Sequence, residues 1–125
     1  MRKLSDLVKE GMQMTHEAQD KDYAYLDSSG HACACVLGAA DIALKDDVFA
    51  PYIDAIEDSN ESSLTQYISQ EEILRSLQDV TGFKLLQDRK DQFESIKVTR
   101  KFSNIIYLND TKGRDKALAY IIENE

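Results

Sequence analysis

Tryptophan is absent from this 125-residue chain, proline occurs once (Pro51) and cysteine twice. Cys33 and Cys35 are only two residues apart, so a bridge between them would close no useful loop and would be strained. That excludes a disulfide scaffold, and two reduced thiols fit a cytoplasmic setting. No apolar run approaches membrane-spanning length. The longest, Ala32–Ala40, is about half of the ~20 residues a bilayer requires. The opening Met1-Arg2-Lys3-Leu4-Ser5-Asp6 puts polar and acidic groups where a signal peptide needs an apolar stretch, so neither export nor insertion is expected. Basic charge is scarce in the first half. Residues 1–62 carry 5 basic against 13 acidic side chains, whereas residues 63–125 carry 10 of each, which places the whole net charge of −8 in the first half. A general phosphate-binding surface or an anionic membrane surface is therefore not expected.

What is present suits a folded domain. A 42% hydrophobic, 30% charged composition is globular, and the length fits one domain over residues 1–125. Leu4, Leu7, Val8 and Met12 recur at helical spacing after Ser5 as N-cap, and Gly11 is expected to end or weaken that helix. Residues 13–22 read as loop. Tyr23-Ala24-Tyr25-Leu26 followed by Asp27-Ser28-Ser29-Gly30 reads as a strand entering a tight turn. Small apolar residues then predict a buried helix from about Cys33 to Leu44. Gly38 lies on its packing face, where leucine should overpack by on the order of 1–3 kcal/mol. Further helices are predicted around Val48–Ile56, with Pro51 in the first turn, and after the Ser69/Glu72 capping-box pair, with Ile73, Leu74, Leu77 and Val80 inward and Gly82 as the stop. Lys84-Leu85-Leu86 could be extended, and Phe93 and Ile96 hint at a helix. Val98, Phe102, Ile105 and Ile106 suit a helix ending near Asn109. Asp110 or Thr111 would cap a last helix with Leu118, Ile121 and Ile122 inward. The expectation is a mainly α, compact single-domain fold of five to six helices with one short β-hairpin near residues 23–35.

Candidate chemistry is sparse. His16-Glu17-Ala18-Gln19-Asp20 starts like a helical zinc-protease signature but has Asp20 where the second histidine belongs. Asp58-Ser59-Asn60-Glu61-Ser62 starts like a calcium loop but has Ser63 and Ser69 where glycine and glutamate are required. His31-Ala32-Cys33-Ala34-Cys35 is chemically richer. On a strand, residues 31, 33 and 35 share a face, and with His16 they offer two nitrogens and two sulfurs, a sensible tetrahedral zinc set. On a helix, residues 33 and 35 diverge by about 200° and the thiols are packing residues. A nucleophilic thiol would need an exposed, electropositive setting, which an apolar run in the acidic half does not supply. Gly113-Arg114 ahead of a helix could meet an anion through free backbone N–H groups.

Two separated strings carry a resemblance. One is Asp27-Ser28-Ser29-Gly30 with Cys35-Val36-Leu37-Gly38-Ala39-Ala40. The other is Ile106-Tyr107-Leu108-Asn109-Asp110 with Arg114-Asp115-Lys116 and Ala119-Tyr120-Ile121. Together they resemble a loose set of small bacterial and phage proteins of unknown function, with an Asp-x-x-Gly turn, a Cys-Ala-Leu-Gly-Ala helix and a late Leu-Asn-Asp before a closing helix. Cys33 is additional here, Val36 stands in place of alanine, and the closing helix lacks the family's tryptophan. The resemblance implies no catalytic residue, ligand or cofactor. It marks Asp27, Gly30, Cys35, Gly38, Asn109 and Asp110 as a structural motif. The residues themselves suggest that Asn109 satisfies free backbone groups across the core.

The leading expectation is a non-catalytic interaction or regulatory protein of bacterial or phage origin, without cofactor, with another protein as partner and without nucleic-acid or membrane binding. Two alternatives stay open: a small metal-binding protein using His16, His31, Cys33 and Cys35, and an acidic inhibitor that mimics nucleic acid on its 1–62 face.

Overall fold

The structure, a computed structural model, describes residues 2–18, 23–26, 32–44, 70–87 and 97–125. The predicted Asp27–Gly30 turn, His31, the Val48–Ile56 helix, the Ser69 cap and the Phe93/Ile96 segment lie outside the described residues. The described part is mainly helical: α1 (Leu4–Met14), α2 (Val36–Leu44), α3 (Gln70–Thr81), α4 (Arg100–Lys112) and α5 (Arg114–Glu123). Three short strands, β1 (His16–Glu17), β2 (Ala24–Leu26) and β3 (Ala32–Ala34), form a sheet in the order β1-β3-β2. β2 and β3 pair antiparallel, giving the expected hairpin, while β1 pairs parallel to β3.

Leu4, Leu7, Val8 and Gly11 form the buried stripe of α1. Gly11 does not end the helix, contrary to expectation. It sits inside it because α2 passes so close that a Cβ there would lie 1.8 Å from the Ala39 carbonyl oxygen. Ser5 is likewise not the cap. Lys3 holds the cap position without a side-chain hydrogen bond, and Ser5 is buried in the first turn. Cysteine 33 belongs to β3, so α2 begins three residues later than predicted, at Val36. Val36 through Ala43 are all buried, which is the state expected of a helix apolar on every side. A Cβ on Gly38 would meet the Tyr23 carbonyl oxygen at 1.7 Å, so Gly38 is a close-packing site as expected, against β2's approach rather than another helix.

Ile73, Leu74 and Leu77 are the buried face of α3, and Gly82 stops it with φ 73°. The chain then runs extended. Leu86 bridges Val98, and the Gln78 side-chain oxygen accepts from the Leu85 and Leu86 N–H groups at 2.9 Å each. Val98 therefore precedes α4 instead of opening it. Thr99 is the cap, accepting from the Phe102 N–H at 3.2 Å. Helix α4 continues past Asn109 to Lys112, and Gly113, at φ 98°, makes the corner into α5, so neither Asp110 nor Thr111 caps the last helix. On α5 the buried stripe is Arg114, Ala117 and Ile121. Leu118 is half-buried and Ile122 is 47% exposed, correcting the predicted inward set. The core gathers residues from all five helices, including Leu7, Leu37, Leu74, Ile105 and Ile121. Burying each such side chain contributes about 1.5–3 kcal/mol. No described helix is long and apolar enough to cross a membrane.

Candidate functional site

The two strings singled out in the sequence meet in space. The chain leaves β3 at Cys35 and enters α2 at Val36, whose N–H has no partner within its own helix. Asn109, on the last turns of α4, fills that place: its Oδ1 accepts from the Val36 N–H at 3.0 Å. The cap of α2 thus comes from 73 residues away. The Asn109 amide donates in turn to Asp110 Oδ1 at 3.2 Å. Asp110, expected to cap the closing helix, instead supports the side chain that caps α2.

Arg114 makes the second link. It is 8% exposed, and its guanidinium reaches under the sheet. Nη1 donates to Thr15 Oγ1 at 2.9 Å and to the Ala34 carbonyl at 3.2 Å, and Nη2 donates to the Thr15 carbonyl at 3.2 Å. Its own N–H, at the start of α5, donates to Glu17 Oε1 at 3.1 Å. The free N–H at this helix start is thus satisfied by an internal carboxylate. Burial lowers the Arg114 pKa and the nearby Glu17 carboxylate opposes that shift. Arginine retains its charge under such perturbation. Arg114 thus ties α1's exit, β1 and β3 to the α4–α5 corner.

Cys35 lies between these links. Its Sγ accepts from the Gly38 N–H at 3.4 Å and its N–H donates to the Tyr23 carbonyl at 3.0 Å. Burial pushes its thiol up to about 11, with the Gly38 and Leu37 N–H groups pulling the other way by less. At neutral pH it is a neutral, packed thiol and a poor nucleophile. Cys33 is buried on β3 and belongs to no disulfide. His16, exposed on β1, is its register neighbour across the parallel pair, so two of the four proposed metal-ligating residues are adjacent. Among the described residues no group of three or more His, Cys, Asp or Glu is placed to hold a metal ion. His31, Asp27 and Gly30 lie outside the described residues.

Sequence reasoning missed a second feature at the opposite end of α1. A cavity of about 500 Å³ is lined by Arg2, Lys3, Lys84 and Lys101, by Phe83, and by the exposed Glu125. Glu125 reaches into the first turn of α1. Its two carboxylate oxygens accept from the Ser5 N–H at 2.7 Å and from Ser5 Oγ at 2.8 Å. Lys101 Nζ stands 5.4 Å from the centre of the Phe83 ring and donates to the Asn124 carbonyl at 3.4 Å. Lys84 and Lys101 were visible only as two of the ten basic side chains of residues 63–125. The signal for the cavity was the Arg2-Lys3 pair directly ahead of α1.

Compared with protein-family models, curated proteins and solved structures, the chain finds no match.

Proposed function

We propose that this is a non-catalytic interaction or regulatory protein of bacterial or phage origin whose partner is another protein. The observation that carries the reading is how the chemically capable side chains at the meeting point are used. Arg114 donates to the Thr15 and Ala34 carbonyls, Asn109 caps α2, and the Cys35 thiol is neutral and engaged with the Gly38 N–H. Each of these groups fixes backbone, which is the use expected of a scaffold that presents surface. Bacterial or phage origin rests on the resemblance of the Cys35–Ala40 and Ile106–Asp110 strings.

The test is affinity capture on the immobilised full chain from bacterial lysate, with free protein as competitor. A stoichiometric protein partner displaced by the competitor supports the reading. Turnover of a small molecule by the isolated chain would overturn it. A second reading, a metal-binding protein, draws on the adjacency of His16 and Cys33 across β1 and β3. Stoichiometric zinc in elemental analysis of the purified protein, lost in a Cys33→Ala variant, would move the conclusion there.

A further inference from the structure

We draw no further inference here: the strongest candidate, the Cys35 thiol at the N-terminus of α2, is buried and already bonded to the Gly38 N–H, and nothing in the structure points to a ligand for it.

Discussion

The crossing of α1 over α2 is one of two backbone close approaches in the described fold, and one methyl group tests it. At Gly11 an added Cβ would lie 1.8 Å from the Ala39 carbonyl oxygen, 2.3 Å from its carbon and 2.9 Å from its Cα. Those atoms are backbone, so no rotamer change relieves the clash. Restoring a 3.0 Å approach requires about 1.2 Å of separation at the crossing. A gap of roughly 0.5–1 Å already forfeits a quarter to a half of a dispersion contact, and the loss spreads along the seam carrying Leu4, Leu7 and Val8. Overpacking costs typically about 1–3 kcal/mol, and a backbone-to-backbone clash belongs at or above the top of that range. Against it stands the helix propensity of alanine over glycine, worth about 1 kcal/mol in α1.

The net expectation for Gly11→Ala is a loss of about 2 kcal/mol or more, a large share of the roughly 5–15 kcal/mol stability of an ordinary domain. In a chain of this length that lowers Tm by roughly 10 °C. Thermal and urea unfolding followed by circular dichroism reads both quantities, with Glu10→Ala on the exposed face of the same helix as the control. An unchanged or raised Tm in Gly11→Ala would refute the close crossing. It would mean that propensity alone governs position 11, as the sequence had suggested.

Asn109→Ala removes the acceptor from the Val36 N–H and should cost about 0.5–2 kcal/mol in urea unfolding, whereas Asn109→Asp, which restores an oxygen and adds charge suited to a helix start, should recover most of it. Equal loss in both variants would assign the effect to Asn109's amide instead. Both thiols should label slowly in native protein and fast in denaturant. Cys35 is pushed up to about 11 from an unfolded value near 8.5, so its contribution is fully present below about pH 8.5 and lost as pH rises through 11. Burial raises Tyr23 as well, with the same sign, so Cys35→Ala should flatten the alkaline limb of a stability–pH curve only in part. Rapid native labelling of Cys35 at pH 7 would contradict its burial. Generic duplex or single-stranded DNA or RNA should show no measurable binding at about 150 mM salt, and micromolar binding that weakens steeply with added salt would make the lysines and arginines between positions 84 and 116 a functional face.

On α1 and α3 spacing located most of the buried apolar stripe, with Met12 and Val80 at its margin and only half-buried. Leu4, Leu7 and Val8 on α1, and Ile73, Leu74 and Leu77 on α3, are the residues the structure buries. The misreadings share a cause. Glycine was read by propensity at position 11, where the decisive quantity was the distance to a helix remote in sequence. Strand β1 is two exposed residues, His16 and Glu17, with no alternation to detect, and it exists because β3 offers it a partner. On α5 the apolar trio Leu118, Ile121 and Ile122 suggested one inward face. The actual face turns toward Arg114 and Ala117, because a buried arginine joins the stripe and no periodicity of apolar residues announces that.

The same distinction separates the two sites. Asn109 was legible because its role follows from helix ends, which always leave free N–H groups in need of an acceptor. Arg114 was visible only as the residue after a glycine and the first of the Arg114-Asp115-Lys116 string, with no buried role attached to it. Its three bonds to Thr15 and Ala34 depend on the α4–α5 corner standing beside β3, a tertiary fact. The cavity was harder still. Arg2 and Lys3 belong to the half of the chain that carries the entire net negative charge, and Lys84 and Lys101 to a half that sums to zero. Charge counted along the sequence therefore gave no sign that these four side chains border one cavity. They come together because the first turn of α1 packs beside Phe83 and the end of α5, a tertiary fact that no count along the chain contains.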